Sequence, residues 1–280
     1  MPPFLAYDDK GPETSHRLPL VLVHGHPFDR TMWSPQAAEF SADRRVITPD
    51  LRGYGASPVT PGTVPLSRHA QDLEELLGLL GVDSFVLAGL SMGGQIAMEC
   101  YDRFGDRVRG LVLADTFPDP ETPEGRRDRG AMADRLLAEG MRGYADEVLD
   151  KMVAPYADPE VKAHVHRMMT ATSPQGAAAS LRGRAERPDY RPLLARVTAP
   201  ALVVVGADDT YTPVADAEAM HAALPDSRLH VIERSAHMPN LERPGEFNGA
   251  LGEFLRAVDL LEDWGHRPQG LGSPVPPDRG

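Results

Sequence analysis

The sequence predicts an α/β fold, in which a mostly parallel central sheet is flanked by helices and interrupted by an inserted helical segment. Short apolar runs alternate along the chain with segments of helical periodicity, as they do where helices join parallel strands. Several runs are apolar at every position, which is typical of strands covered on both faces. The alternation breaks between residues 117 and 195, a span far longer than an ordinary connection between strand and helix.

The first strands and helices precede this break. Residues 4–7 are able to form an edge strand, and the apolar run 20–23 predicts a buried parallel strand. In the segment 67–80, leucines at helical spacing form an apolar face, and Gly81 is placed to cap the helix. The predicted strands of this half are 4–7, 20–23, 46–48, 85–88 and 108–114, and the predicted helices are 32–40, 67–80 and 95–101.

The inserted segment is predicted to be helical. Thr122 and Pro123 have the pattern of an N-cap followed by proline at the first helical position, and Gly140 has that of a C-cap. Ser173 and Pro174 open another short helix. Two apolar helical faces lie between them, one formed by Met141, Tyr144, Val148, Leu149 and Met152, the other by Val161, Val165, Met168 and Met169. We interpret the segment as a lid over the end of the sheet that carries the candidate catalytic residues.

Strands and helices alternate again after the insertion. Strands are predicted at 201–205 and 228–232, and helices at 213–223 and 244–260. Beyond Trp264 the chain is rich in glycine and proline with almost no apolar content, which predicts a disordered tail. The predicted organisation is a first part of the core at 1–116, the lid at 117–195, a second part of the core at 196–262 and the tail at 263–280.

Length, composition and charge restrict the classes of protein. A chain of 280 residues with 41% hydrophobic content can bury a full core as one large domain. The net charge of −12 disfavours nucleic acid and anionic membrane surfaces as partners, because their phosphates would be repelled. No apolar run approaches the roughly 18 residues of a membrane helix, and the N-terminus shows no secretory pattern. The single cysteine, Cys100, cannot form an internal disulfide, which is consistent with a cytoplasmic protein.

The strongest chemical signal is Gly89-x-Ser91-x-Gly93, between the apolar run 85–88 and a helical segment. A serine on a sharp turn between strand and helix can act as a nucleophile, because the turn exposes its hydroxyl to a base and a substrate. Glycines two positions before and after it let neighbouring backbones approach closely. The N–H of Met92 would lie at the positive end of the following helix, where it can bind an oxyanion.

A nucleophilic serine needs a base, and His237 is the best placed of the ten histidines. It follows an apolar strand and therefore lies at the same end of a parallel sheet as Ser91, where such sheets build their sites. The histidine in turn needs an acid to orient it. Asp208 and Asp209 both end the preceding strand, and position alone leaves the choice between them open.

These residues occur in the chain order serine, acid, histidine, which is that of the α/β-hydrolases. From about Leu20 to Leu255 the chain resembles this superfamily. The resemblance is carried by His24-Gly25-His26-Pro27 with Trp33 downstream, Asp50-Leu51-Arg52-Gly53-Tyr54-Gly55-x-Ser57, Gly89-Leu90-Ser91-Met92-Gly93-Gly94, Gly206-x-x-Asp209-x-x-x-Pro213 and His237-x-Pro239-Asn240-Leu241-Glu242-x-Pro244. It implies a triad of Ser91, Asp209 and His237, with Asp209 chosen over Asp208. It also implies an oxyanion hole formed by the backbone N–H groups of His26 and Met92.

Three side chains near these motifs have more than one interpretation. The His26 ring could face the substrate, although a role at the surface or in loop packing is expected more often, since polar histidines of loops are commonly exposed. His24 is expected to hold its loop by hydrogen bonds. Asp115 could act as a displaced acid, but with Asp209 present it is expected to hold the loop that leads into the insertion.

The resemblance implies acyl transfer to water by a serine hydrolase. A serine where haloalkane dehalogenases and epoxide hydrolases of the superfamily have an aspartate disfavours both of those activities. The expected substrate is an ester, lactone or thioester, and the chain resembles enol-lactonases, small carboxylesterases and cofactor-free haloperoxidases. The alternatives are carbon–carbon bond hydrolysis, a cofactor-free perhydrolase or haloperoxidase activity, and a hydrolase-fold receptor that binds a ligand with little turnover.

The partner is therefore expected to be a small-molecule substrate, with no nucleic acid and no membrane. No cofactor and no metal are implied, and the oligomeric state is left open between monomer and homodimer. The candidate substrate pocket comprises His26, Phe28, Met141, Tyr144 and Met238.

Overall fold

The structure is a computed structural model that describes residues 5–12 and 14–265. The strands of these residues are β1 (Tyr7–Lys10), β2 (Leu20–Val23), β3 (Val46–Pro49), β4 (Phe85–Leu90), β5 (Val108–Ala114), β6 (Ala201–Gly206) and β7 (Ser227–Ile232). They form one sheet in the order β1-β3-β2-β4-β5-β6-β7. The first pair, β1 with β3, is antiparallel, and all the other pairs are parallel. The predicted fold class is confirmed.

Helices cover both faces of this sheet. They are α1 (Ser34–Phe40), α2 (Leu66–Leu79), α3 (Met92–Phe104), α4 (Pro123–Glu139), α5 (Arg142–Met152), α6 (Pro159–Ala171), α7 (Pro174–Arg184), α8 (Arg191–Leu194), α9 (Val214–Ala223), α10 (Pro239–Glu242) and α11 (Pro244–Gly265). One apolar cluster packs α2, α3 and α9 against the sheet, and a second packs α1 and α11 against the opposite face. No helix of the described residues is both long enough and apolar enough to span a membrane.

The apolar runs of the sequence become strands because each face of the sheet has its own core. In β2, Val21 and Val23 belong to the first cluster, whereas Leu20 and Leu22 belong to the second. Side chains of a strand alternate between the two faces, so a strand covered on both sides is apolar at every position.

The edge strand differs from the sequence prediction. It was expected at residues 4–7, but β1 begins at Tyr7 and continues through Asp8 and Asp9, which pair with Thr48 and Ile47 of β3. An edge strand has one partner only, so its polar side chains can point to solvent or form ion pairs. The predicted tail at 263–280 lies outside the described residues, apart from the last residues of α11.

The insertion comprises α4 to α7, followed by the short helix α8. It has a small apolar cluster of its own, formed by Ala133, Leu136, Met141, Ala177, Ala178 and Leu181. The hydroxyl of Thr122 accepts the N–H of Gly125 at 2.9 Å, so the predicted N-cap of α4 is confirmed. The insertion meets the core where α7 passes the segment before α2. A Cβ on Gly183 would lie 1.8 Å from the carbonyl oxygen of Val64, so only glycine fits there.

This contact yields a prediction about stability. Gly183→Ala should lower the free energy of unfolding by about 1–3 kcal/mol, because the new methyl group must push α7 away from the core. Gly130→Ala in α4 is the matched control, since a Cβ added there would have no neighbour within 4 Å. It should raise the free energy of unfolding by about 0.5–1 kcal/mol through helix propensity. Urea unfolding measures both, and equal stability of the two variants would contradict the close approach.

Candidate active site

Ser91 lies on the turn between β4 and α3. Its backbone, with φ 58° and ψ −120°, has a conformation that residues other than glycine rarely adopt. Such strain persists where the surroundings hold it in place. A Cβ on Gly89 would lie 2.1 Å from the carbonyl oxygen of Gly93, and one on Gly93 would lie 2.2 Å from that of Val23. The hydroxyl of Thr116 donates to the Ser91 carbonyl oxygen at 2.8 Å. The glycines of the motif therefore reflect direct backbone contacts among β2, β4 and α3.

His237 and Asp209 form a buried pair beside this turn. His237 Nδ1 lies 2.7 Å from Asp209 Oδ2. Asp209 also accepts the backbone N–H of Tyr211 at 2.7 Å and the hydroxyl of Thr212. Burial alone would raise the pKa of Asp209, but His237 and these donors hold that pKa below its usual value. Asp209 is therefore a carboxylate at neutral pH, and it fixes the orientation of the His237 ring.

The other two candidate acids have different partners. The exposed Asp208 accepts a hydrogen bond from the hydroxyl of Tyr156. Asp115 is buried at the end of β5 with φ 43°, and its Oδ1 accepts the N–H of Gly206 at 2.9 Å. Its Oδ2 has no hydrogen-bond partner among the described residues. Burial, followed by the nearby charge of Asp209, raises the pKa of Asp115 well above its usual value.

The distance between His237 Nδ1 and Asp209 Oδ2 is too short for a zinc ion bound to both atoms. Asp115, Asp209 and His237 have potential ligand atoms within 4.8 Å of one another. However, two ligands bound to one tetrahedral zinc ion lie roughly 3.4 Å apart, given metal–ligand distances of about 2.0–2.2 Å. The 2.7 Å separation between His237 and Asp209 is that of a direct hydrogen bond.

The loop after β2 packs directly on the nucleophile. A Cβ on Gly25 would lie 3.1 Å from the Cβ of Ser91, and His26 follows Gly25 in the chain. The buried ring of His24 fixes this loop, because its Nδ1 lies 2.8 Å from the Gly25 carbonyl oxygen and its Nε2 accepts the N–H of Leu51 at 2.9 Å. His24 therefore has the loop-holding role that the sequence predicted.

The two N–H groups expected to bind an oxyanion belong to segments that touch Ser91. Met92 is the first residue of α3, so its N–H has no partner within the helix and lies at the positive end of the helix dipole. The N–H of His26 belongs to the loop that Gly25 packs against Ser91. Their role as an oxyanion hole remains a prediction.

The ring of His26 is buried and neutral. Its Nδ1 lies 2.8 Å from the hydroxyl oxygen of Tyr54, and its Nε2 has no hydrogen-bond partner in the described part of the chain. Burial, followed by the charges of Arg184 and Arg129, lowers the pKa of His26 well below its usual value.

A cavity of about 180 Å³ lies over Ser91 and His237. It is lined by His26, Ser91, Phe117, Arg129, Tyr144, Met152, Leu181, Arg184, Tyr211, Thr212 and His237. Helices α4, α5 and α7 of the insertion supply five of these side chains, Arg129, Tyr144, Met152, Leu181 and Arg184. Ligand pockets more commonly measure roughly 300–1,000 Å³, so this cavity suits a small molecule.

The structure places three of the expected pocket residues elsewhere. His26 and Tyr144 line the cavity, but Phe28, Met141 and Met238 do not. Phe28 and Met238 are fully buried in the apolar cluster on the α1 and α11 face of the sheet, and Met141 packs in the cluster of the insertion. They lie next to site motifs in the sequence, but their side chains fill the core.

Seven residues of the cavity wall are not among the residues that the sequence predicted for the site: Phe117, Arg129, Met152, Leu181, Arg184, Tyr211 and Thr212. Arg129 lies in a charge-rich stretch of α4, and such stretches usually form solvated surfaces. Tyr211 follows Asp209 by two positions, so its place in that motif could have indicated it.

Known proteins resemble this chain over most of its length. A family model described as the alpha/beta hydrolase family matches residues 20–250. The 3-oxoadipate enol-lactonase 2 of Acinetobacter baylyi is 30% identical over 240 residues, which cover 85% of this chain and 88% of that protein. A solved thermophilic esterase from Thermogutta terrifontis with malate bound has a TM-score of 0.88 and 39% identity, covering 91% of this chain and 94% of that chain. The enol-lactonase from Burkholderia xenovorans LB400 has a TM-score of 0.83 and 27% identity, with coverages of 90% and 96%.

The raised pKa of Asp115 predicts a pH-dependent stability. Its contribution to stability is present below its unfolded pKa of about 3.9 and is lost as the pH rises toward its folded pKa, at up to about 1.4 kcal/mol per pH unit. Asn cannot titrate, so the stability of Asp115→Asn relative to the wild type should increase between about pH 4 and pH 8. Urea unfolding of both proteins across this range measures the difference. A constant difference for Asp115→Asn would contradict the raised pKa.

Proposed function

Because the chain belongs to the alpha/beta hydrolase family, we propose that it hydrolyses an ester, lactone or thioester of a small molecule through an acyl-enzyme on Ser91. The observation that carries the proposal is the 2.7 Å hydrogen bond between His237 Nδ1 and Asp209 Oδ2, beside a cavity that Ser91 and His237 both line. The relatives described above include enol-lactonases and an esterase, which supports hydrolysis of esters and lactones.

The proposed reaction begins with proton transfer from Ser91 to His237. Since Asp209 holds Nδ1, Nε2 is the nitrogen that takes the proton of the hydroxyl as the Ser91 oxygen attacks the substrate carbonyl carbon. The carboxylate of Asp209 then stabilises the imidazolium. The negative charge on the former carbonyl oxygen is bound by the N–H groups of His26 and Met92.

His237 then gives its proton to the leaving oxygen, or to the leaving sulfur of a thioester, as the bond from that atom to the carbonyl carbon breaks, so the acyl group stays on Ser91. The second half of the reaction releases the acid. A water molecule attacks this acyl group while His237 accepts its proton. The bond to Ser91 breaks, and His237 returns the proton to the serine oxygen.

We assign the insertion the role of a lid. Its side chains form much of the cavity wall, so α4, α5 and α7 limit the substrate's size and its contact with water. This role is consistent with the residues that the sequence assigned to the lid, 117–195.

The nucleophile is tested by Ser91→Ala. This variant should hydrolyse short-chain 4-nitrophenyl esters at least about 10⁴-fold more slowly than the wild type, because the attacking oxygen is gone. It should also lose covalent labelling by a fluorophosphonate, which intact-mass spectrometry detects. Ser34→Ala, at an exposed position of α1, is the control that keeps both activities. Tight binding of ligands with negligible turnover by the wild type would instead favour a receptor.

Substitutions of Asp209 and of its neighbour Asp208 test which carboxylate orients His237. Asp209→Asn should lower kcat by about 10⁴-fold, because an amide cannot stabilise the imidazolium and favours the wrong tautomer of His237. Asp208→Asn should retain activity within about threefold, since Asp208 contacts Tyr156 at the surface. Steady-state kinetics with the same ester compare the two. A larger loss in Asp208→Asn would reverse the assignment.

A further inference from the structure

Two arginine side chains line the same cavity as Ser91 and His237. They are Arg129 of α4 and Arg184 of α7. Arg129 forms an ion pair with Glu121, whose Oε2 also lies 2.6 Å from Nη1 of the nearby Arg187. The Glu121 carboxylate therefore pairs with the guanidinium groups of both Arg129 and Arg187, and it does not balance the positive charge of Arg184.

Arg184 is held by a neutral partner. Its Nε donates to Gln95 Oε1 at 2.7 Å, and it forms no ion pair within residues 5–12 and 14–265. Burial, followed by the charges of Arg129 and Arg187, lowers the pKa of Arg184 well below its usual value, with Glu121 opposing the effect. A negative group in the cavity would relieve this unfavourable arrangement of like charges.

A second, independent feature of the wall indicates a polar ligand. His26 is only 5% exposed, and its Nε2 has no hydrogen-bond partner among the described residues. Buried polar atoms are normally satisfied, so an unsatisfied one in a cavity wall points to a group that enters the cavity. None of the described residues that line the cavity is acidic, although the whole chain carries a net charge of −12. The positive charge of the cavity wall is therefore local and opposite in sign to the net charge of the chain.

The position of Gln95 restricts the size of such a ligand. Gln95 follows Ser91 by one turn of α3, and it orients the guanidinium of Arg184. A substrate that reaches both Ser91 and Arg184 inside a cavity of about 180 Å³ must have its negative group only a few bonds from the carbonyl carbon.

Building on the proposed function, we propose that the substrate carries a carboxylate, which Arg184 binds with the support of Arg129. The planar guanidinium can bind a carboxylate through two parallel hydrogen bonds. The substrate class is then a half-ester of a short dicarboxylic acid, or a lactone with a short carboxylate side chain. The hydrolysis itself proceeds as described above, and the carboxylate takes no part in bond breaking.

The test compares two esters of nearly equal shape. Monoethyl succinate carries a carboxylate where ethyl 4-methylpentanoate has an isopropyl group. Wild-type kcat/KM should be roughly 10- to 100-fold higher for monoethyl succinate. Arg184→Met should reduce this ratio to about one, because removing the guanidinium lowers kcat/KM for monoethyl succinate far more than kcat/KM for the neutral ester. Arg129→Met should reduce the ratio less, and it serves as the test if Arg184→Met does not fold.

Arg182→Met is the matched control. Arg182 lies on the same helix, but it pairs at 2.6 Å with the exposed Asp134 and does not line the cavity. Its ratio should equal that of the wild type. If the wild type hydrolyses both esters equally, or if folded Arg184→Met loses both activities in parallel, the carboxylate proposal is wrong. If the wild type hydrolyses neither ester nor any of a panel of short esters and lactones, the proposed function itself fails.

Discussion

The geometry of the site depends on a direct contact among three backbone segments, which lie so close together that no side chain fits between them. Gly89 approaches the carbonyl oxygen of Gly93, and Gly93 approaches that of Val23, so β4, α3 and β2 fix one another. This contact sustains the unfavourable φ of Ser91 and places its side chain within the cavity wall. The same packing holds the loop after β2 against the nucleophile. The rigid core thus sets the geometry of the residues expected to react.

The environments of the buried ionisable groups drive them to different charge states. Asp209 and Asp115 are neighbouring carboxyl groups, but Asp209 accepts hydrogen bonds from a histidine, a hydroxyl and a backbone N–H. Asp115 has a single backbone donor and an unsatisfied oxygen. The pKa of Asp209 is therefore lowered and that of Asp115 raised. Hydrogen-bond donors and burial thus set different charge states for two similar groups that lie close together.

The sequence predicted those features that depend on local patterns. The apolar run and glycines around Ser91 predicted a strand, a turn and a helix, and the cap residue Thr122 predicted the start of α4 correctly. Position alone could not choose between Asp208 and Asp209, because the choice depends on which side chain faces His237 after folding. The resemblance to the superfamily indicated Asp209, and the contact with His237 agrees with it.

The walls of the cavity were harder to predict because they depend on packing between distant segments. Phe28 and Met238 lie next to site motifs, but adjacency in the chain does not determine the direction of a side chain, and both point into the core. Arg184 lies about ninety residues after Ser91 and becomes part of the wall only when α7 docks on the core. No periodic pattern in the sequence indicates that α7 packs against the core.

The hydrogen bond between Arg184 and Gln95 has a mechanical consequence. It joins a helix of the insertion to the helix that begins just after Ser91. Any displacement of α7 away from α3 must break this bond and carry the guanidinium out of the site. Entry of a molecule by such a displacement would occur without the cation in place, and the cation would return on closing. A molecule would then enter the site first and meet the guanidinium of Arg184 only as α7 closes.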